Sequence, residues 1–507
     1  MTELFAGLMS VLNPQILALI LGGTVLGTIF GALPGLSATM GLAILLPISF
    51  YMPPLNGLLF LLGTYTGAIY GGSFSAILIN IPGAPPAVMT ALDGYPMAKR
   101  GEAGRAIMLS TVASTLGGIF GVICLIVIAP WLAGFALDFG PQEYALLALF
   151  GLCTIVAVAG TSMLRGFIGI TIGLMLATVG LDPFTNVKRF TFGSYQLMNG
   201  INYVALVIGV FGISEVLTQI LQLGGDDKVQ TQKVGKLSLS KSDVKLMLRR
   251  FWPSSIIGTI VGVLPGAGGT IASIIAYNQE VQTSKHPETF GEGEPAGLIA
   301  AESANNAAVG GSLVPLLTLG IPGSSPAAIL LGALMIHNLR PGPLLFIQNR
   351  PLINALFIGL LVAQFAILAV GMSVAKVAPR LITVSQRILL PVIGLLCVIG
   401  AYAVSNSVFD VGLMLALGVG GFLLKELGIK PAPIVLGLIL GPMLERNFRS
   451  ALEISKTGYM TFLTRPISQI LIVLIIVVIV APLVQKRAIK RRKLRESGMA
   501  GRDSKKS

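Results

Sequence analysis

Gly27-Thr-Ile-Phe-Gly-Ala-Leu-Pro-Gly-Leu-Ser-Ala-Thr39 returns in the second half of the chain as Gly258-Thr-Ile-Val-Gly-Val-Leu-Pro-Gly-Ala-Gly-Gly-Thr270. Each copy lies in apolar surroundings and is followed by a second pair of matching elements. Gly71-Gly72-Ser73 and Ile81-Pro82-Gly83-Ala84-Pro85-Pro86-Ala87 follow the first, and Gly310-Gly311-Ser312 and Ile321-Pro322-Gly323-Ser324-Ser325-Pro326-Ala327 follow the second. The chain therefore reads as a duplicated membrane protein. Pro-Gly pairs that interrupt hydrophobic segments at corresponding places in two halves point to a solute site, because broken helices expose backbone dipoles.

Composition supports the membrane reading. Hydrophobic residues make up 54% of the 507 and charged residues 11%, with a mean hydropathy of +0.85. A soluble domain carries roughly 25% charged residues. Many apolar runs reach the ~20 residues needed to cross about 30 Å of hydrocarbon. Spans are expected near 11-32, 57-80, 105-132, 142-160, 163-181, 201-223, 296-319, 352-375, 386-404, 410-425 and 463-485. Shorter or broken segments are expected near 37-51, 84-92, 252-278, 325-337 and 431-443. The fold class expected is an all-α polytopic membrane protein of about 12 transmembrane helices, with broken helices or re-entrant hairpins. Met1-Thr2-Glu3-Leu4 lacks the basic region of a cleavable signal peptide, so the first apolar run is expected to remain as a span.

The net charge of +14 is concentrated in two blocks. One holds Lys228, Lys233, Lys236, Lys241, Lys245, Arg249 and Arg250, and the other runs from Lys486 to Lys506. Basic blocks flanking spans follow the positive-inside rule, so both are expected to be cytoplasmic, and no nucleic-acid partner is expected. No Lys or Arg precedes Lys99, which suggests an external N-terminus. An odd number of crossings in the first half would then make the second copy start on the opposite side, as an inverted repeat. The expected divisions are a first transmembrane repeat at 11-223, a basic linker at 224-251, a second repeat at 252-485 and a basic tail at 486-507. The duplication extends, fading, to Gly180-Leu181-Asp182-Pro183 against Gly428-Ile429-Lys430-Pro431, and to Gly151 and Cys153 against Gly394 and Cys397.

Several chemistries find no motif. Cys124, Cys153 and Cys397 stand singly in apolar segments and read as packing residues. His286 and His337 belong to no ligand pattern, and no Gly-x-x-x-x-Gly-Lys-Ser/Thr nucleotide loop or hydrolase motif occurs. An enzyme is therefore not expected, nor a cofactor. Solute movement would draw on an ion gradient or a partner.

The paired Leu-Pro-Gly and Ile-Pro-Gly elements, Asp182-Pro183 followed by Arg189-Phe190-Thr191-Phe192-Gly193, and Glu302-Ser303-Ala304-Asn305-Asn306-Ala307-Ala308 leading to Gly320-Ile321-Pro322-Gly323, together resemble the large membrane subunit of the tripartite tricarboxylate transporters (TctA type). The resemblance covers nearly the whole chain. It implies a multi-pass subunit of the bacterial inner membrane that works with a small membrane subunit (TctB type) and a periplasmic solute-binding protein (TctC type). It further implies uptake of citrate-like or related carboxylates by symport with Na⁺ or H⁺. A membrane channel, or a carrier for a non-carboxylate solute, is the alternative; concentrative uptake separates the symporter from a channel or a membrane-embedded enzyme.

The residues themselves suggest how an anion would be held. A Pro-Gly break strips backbone N–H and C=O groups of helical partners, so it must face an interior. A helix starting just after it aims N–H groups and about half a positive charge at an anion. In the first half the candidates are Gly35, Ser37, Thr39, Asn80, Pro82 and Gly83. In the second they are Gly266, Gly268, Gly269, Thr270, Pro322, Gly323, Ser324 and Ser325. The same hydroxyls are candidates for a Na⁺ site. The competing reading is that these glycines only allow close helix packing. Glu302, Asn305 and Asn306 form a second cluster, since spacings of three and four place them on one helical face. Glu302 would bind a cation, carry its proton, or act as a structural lock. Glu215 and Asp410 are lesser candidates, read as solvated carboxylates near span ends, and Arg165, Lys188 and Arg189 are read as interfacial anchors, with attraction of an anion as the alternative.

Overall fold

The computed structural model describes residues 2–158, 162–223, 231–482 and 484. The basic tail at 486-507 and Lys228 lie outside these residues. The first half consists of α1 (Thr2–Val11), α2 (Pro14–Ala32), α3 (Ala38–Phe50), α4 (Pro54–Ile79), α5 (Val88–Met97), α6 (Ala103–Ala136), α7 (Pro141–Val158), α8 (Met163–Ala177), α9 (Tyr203–Val207) and α10 (Ser214–Leu221). A wider π-turned stretch, Ile208–Ile213, joins the last two. Between α8 and α9 lies an antiparallel β-hairpin, β1 (Gly180–Leu181) paired with β2 (Lys188–Arg189). The second half consists of α11 (Lys241–Val263), α12 (Gly268–Thr283), α13 (Pro295–Leu319), α14 (Ser325–Ile336), α15 (Pro343–Gln348), α16 (Arg350–Val374), α17 (Ala378–Ile382), α18 (Gln386–Ser405), α19 (Val408–Glu426), α20 (Pro431–Ile454) and α21 (Thr461–Thr464). A final helix, α22 (Pro466–Pro482), follows α21 across an 87° bend.

Six of the described helical stretches are long and apolar enough to cross a membrane, or seven if the bent pair counts as one span. The protein is thus helical and multi-pass. Helices α4 and α13, 26 and 25 residues long, are not among the six although their length suffices. They are rich in Gly, Ser, Thr and Ala because protein rather than lipid surrounds them. Every residue from Gly57 to Ile79 of α4 and from Ala296 to Thr318 of α13 is buried. The last part of the expected linker is itself helical: a Ser240 and Asp243 capping box starts α11 at Lys241.

The two halves share local backbone geometry. Leu33 and Leu264 end α2 and α11 in the same extended conformation (φ −80°, ψ 120° and φ −73°, ψ 122°), as the residue before a proline prefers. Gly35 and Gly266 follow at φ +85° and +77°, the left-handed region that glycine enters at least cost. Asn80 and Gly320 end α4 and α13 in the left-handed conformation. Gly83 N–H and Gly323 N–H then donate back, to Gly72 O and Ser312 O. This pairing corrects the sequence alignment by one residue: Gly71 and Gly72 match Gly311 and Ser312, not Gly310 and Gly311. The glycine contacts agree, because Gly71 lies on the Thr28 backbone as Gly311 lies on that of Thr259.

Close contacts at glycines, to backbone or to side chains, show the packing directions. Gly27 on Thr64 and Gly31 on Ala68 make α2 parallel to α4; Gly258 on Ala304 and Gly262 on Ala308 repeat this for α11 and α13. Gly117 on Ser303 and Gly121 on Ala307 make α6 parallel to α13. Gly359 on Leu59 and Gly371 on Tyr70 do the same for α16 and α4. By contrast Gly118 lies on Gln364 and Thr111 on Gly371, so α6 and α16 are antiparallel. The halves also exchange partners: α8 packs along α20 through Gly173 and Gly437, and α19 packs along the α9 to α10 segment through Gly418 and Ile213.

Candidate functional site

Helices α3, α12 and α14 and the turn leading into α5 begin just after the four breaks, and their N-termini differ. Ser37 caps α3, its Oγ accepting from Met40 N–H at 3.2 Å, and Ser324 caps α14 by accepting from Ala327 N–H at 3.2 Å. Helix α12, whose N-cap residue is Ala267, has no side-chain cap, and neither has the short turn Pro85–Ala87 that leads into α5. The first N–H groups of a helix have no partner within it, so α12 presents unsatisfied donors and positive potential.

What surrounds that end is polar. A side chain at Gly269 would run into Asn305 Oδ1 and approach Pro86 of the first half, and one at Gly268 would touch Ser324. Asn305 is 1% exposed, and among the described residues neither its Oδ1 nor its Nδ2 has a hydrogen-bond partner; Asn306 Oδ1 has none either. Leaving a buried amide atom unpaired costs about 1–3 kcal/mol. The structure therefore brings Gly268, Gly269, Ser324 and Asn305 together at one helix end, with the first half's Ala84–Ala87 turn beside them. Thr270 lies in the first turn of α12, where its backbone oxygen accepts from Ser273 Oγ at 2.9 Å. Ser325 begins α14 behind its cap, and Pro322 lies in the non-helical bend before it.

Other candidates use their polar groups within the protein. Gly35 O accepts from Gln219 Nε2, Gly83 packs on the backbone of Gly31, and Gly323 packs on Gly262 and Ser312. Gly266 lies against Ile155. Asn80 is the left-handed cap of α4, Pro82 follows it in the bend, and Thr39 lies in the first turn of α3. Glu302 is fully buried and does not reach the neighbouring amides. Thr90 Oγ1 on α5 donates to its Oε1 at 2.5 Å, and Ser114 Oγ on α6 donates to Oε2 at 2.6 Å. Asn306 Nδ2 instead donates to the Glu302 backbone oxygen at 3.2 Å. Among the described residues no basic side chain pairs with the Glu302 carboxylate. Thr90 sits just past the first Ile-Pro-Gly turn, so Glu302 joins that turn to α13 and α6.

Thr90, Ser114 and Tyr65 escaped the sequence reading because Ser, Thr and Tyr are common in such helices and none lies in a motif. Only the 240-residue offset between the halves would have found Tyr65, which falls at the position of Asn305. Glu215 pairs with Lys425 at 2.7 Å rather than with water alone, and Asp410 accepts from Asn202 Nδ2 at 2.8 Å. Arg189 and Arg449 pair with Asp182 and Glu445, fastening the β-hairpin to α20. Arg449, with the N–H groups of Thr185 and Phe184, holds the Asp182 carboxyl well below the usual carboxylate range. Among the described residues no group of three or more His, Cys, Asp or Glu could hold a metal ion. A cavity of about 360 Å³ lies away from the breaks, between the end of α6 and α15 and α16, with Arg350 and Asn354 in its wall.

Fold and site define a multi-pass helical membrane protein whose broken helices converge on buried polar groups supplied by both halves. Comparison with known proteins makes this particular. The chain belongs to the tripartite tricarboxylate transporter TctA family, whose model matches residues 17–436. It is 38% identical over 493 residues to an uncharacterized 52.8 kDa protein in the TAR-I ttuC' 3'region of Agrobacterium vitis, covering 97% of this chain and 98% of that one. An uncharacterized protein in the TAR-II ttuC' 3'region of the same organism is 35% identical over 234 residues, 46% of this chain and 97% of its own length. No solved structure matches the chain. The family is one of transporters, not of enzymes.

Proposed function

We propose that this chain is the large transmembrane subunit of a binding-protein-dependent secondary transporter that imports citrate-like tricarboxylates or related carboxylates by symport with Na⁺ or H⁺. Its partners are a small membrane subunit and a periplasmic solute-binding protein, and it resides in the bacterial inner membrane. The observation that carries the site is the unpaired Asn305 amide at the uncapped N-terminus of α12. An amide donor and helix N–H groups together suit a carboxylate, and no covalent step is involved.

The proposed topology is two inverted repeats with the solute held between them near mid-membrane. The antiparallel contact of α6 with its counterpart α16 supports this reading, as does the exchange of α8 and the α9 to α10 segment between halves. Counting α4, α6, α7, α8 and the α9 to α10 segment as crossings gives the first half an odd number. The α2–α3 and α11–α12 hairpins then enter from opposite faces. Motion is alternating access, with the hairpins and bends moving as a unit against the remaining helices. Glu302 is the candidate coupling group, since a buried carboxylate with hydroxyl donors but no basic partner among the described residues is costly unless it binds a cation or a proton.

Uptake of labelled citrate and of a di- and monocarboxylate panel into right-side-out vesicles tests this, with the binding protein supplied and Na⁺ and H⁺ gradients imposed separately. Accumulation is expected with one of the gradients. Accumulation that persists with ATP after both gradients are collapsed would reject symport.

A further inference from the structure

Tyr65 lies at the middle of α4, 2% exposed, at the position that Asn305 holds in α13. Its hydroxyl is 2.8 Å from Ser324 Oγ and 3.2 Å from Ser312 Oγ, both in the other half. Ser312 Oγ is already committed as a donor to Val309 O at 2.9 Å. Ser324 Oγ accepts from Ala327 N–H, and its own proton is not fixed by any other partner. The Tyr65–Ser324 hydroxyl pair therefore has protons that can be redirected, whereas Ser312 only passes one on. The pair is next to the α12 end, because Ser324 is the residue that a side chain at Gly268 would touch. At the equivalent place in the first half stands Ala84, which has no hydroxyl to offer, and Asn305 is left without a partner. The two halves thus contribute unlike groups at matching positions: one unpaired amide, and one phenol on exchangeable hydroxyl partners.

We infer that the Tyr65 hydroxyl is a solute-binding group, supplied by the first half to a carboxylate site otherwise built from Ser324, Asn305 and the α12 N-terminus. The inference rests on the proposed solute site and adds to it a residue outside every break motif. A site completed from both halves holds its anion only while α4 and the second Ile-Pro-Gly bend are in contact, which links occupancy to the arrangement of the halves. A phenol donor also suits discrimination among anions, since a lost hydrogen bond to a charged group changes affinity about ten- to a hundredfold.

The test is citrate uptake in vesicles, with the complete transporter, for Tyr65→Phe, Ser312→Ala and Asn305→Ala, each normalised to membrane content. Tyr65→Phe keeps the ring and is expected to raise the half-saturating citrate concentration at least tenfold, with a maximal rate within twofold of wild type and an altered ratio of tri- to dicarboxylate uptake. Ser312→Ala removes a hydroxyl from the same chain and is expected to change half-saturation less than twofold. If Tyr65 were only a structural tie, both variants would act alike and lower the maximal rate without changing selectivity, which would overturn the assignment. Unchanged half-saturation in Tyr65→Phe beside a tenfold rise in Asn305→Ala would overturn the role of Tyr65 and leave the site standing. No change in either would overturn the site itself. Should Tyr65→Phe not reach the membrane, Tyr65→His keeps a planar ring but shortens the reach; the same rise is expected, and an unchanged value would reject the inference.

Discussion

Glu302 and Asn305 sit one helical turn apart and face opposite situations. The carboxylate is held by Thr90 and Ser114, while the amide has no hydrogen-bond partner among the described residues. A group that is already partnered suits a switch between charged and neutral forms, and an unpartnered one suits a visiting solute. Replacing Glu302 by Gln keeps the volume and removes the titratable group. If Glu302 is the coupling group, Glu302→Gln is expected to lose gradient-driven accumulation of citrate while retaining citrate exchange across preloaded vesicles. Retained accumulation would exclude Glu302 from coupling. Asp182 gives a pH expectation in the β-hairpin. Its folded-state pKa is depressed by Arg449, so its contribution is present above the unfolded value of about 3.9 and is lost as pH falls through the folded value. Hydrogen exchange in the 180–200 segment, corrected for intrinsic rate, is therefore expected to be unchanged between pH 8 and pH 5. Asp182→Asn should raise it at every pH in that range.

The helices owe their arrangement to small residues rather than to large apolar ones. Lipid is as apolar as Leu, so helices in a membrane gain little by burying Leu against each other and associate through close backbone packing. Gly27 meets the Thr64 backbone, and Gly258 meets that of Ala304. Adding one methyl at Gly27 would force it against the Thr64 carbonyl, and overpacking of this kind costs about 1–3 kcal/mol. Gly27→Ala is expected to lower the thermal unfolding temperature of the detergent-purified protein, whereas Gly22→Ala, with open space around it, should not. Equal effects at the two positions would contradict the packing account. The dependence on small residues also explains why α4 and α13 are less apolar than the outer spans, although they are the most enclosed.

At the scale of the whole molecule, the charge distribution along the sequence and the helix directions among the described residues both bear on the proposed topology. Residues 233–250 are basic, and Gly104 at the start of α6 touches Lys236, placing the α6 N-terminus beside the linker. In the proposed topology the β-hairpin, carrying Phe192 at 88% exposure, emerges on the face opposite the linker. A cysteine at Phe192 is expected to react with an impermeant thiol reagent in spheroplasts, and one at Ser240 only after permeabilisation. Labelling of both from the same side would reject the inverted arrangement.

The amino-acid sequence by itself determined that this is a helical membrane protein, that it is duplicated, and where its helices break. These are local matters: apolar length, the missing N–H of Pro34 and Pro265, and the left-handed backbone that Gly35 and Gly266 permit. Family membership was legible for a related reason, because several short motifs occur in a set order. Only the tertiary structure decided which broken ends are left uncapped, that Glu302 is satisfied by Thr90 and Ser114 while Asn305 has no partner among the described residues, and that the repeats align with Gly72 against Ser312. It alone placed Tyr65 on Ser324, 259 residues away. Whether a buried polar atom has a partner depends on groups brought together from distant parts of the chain, and no local pattern records that.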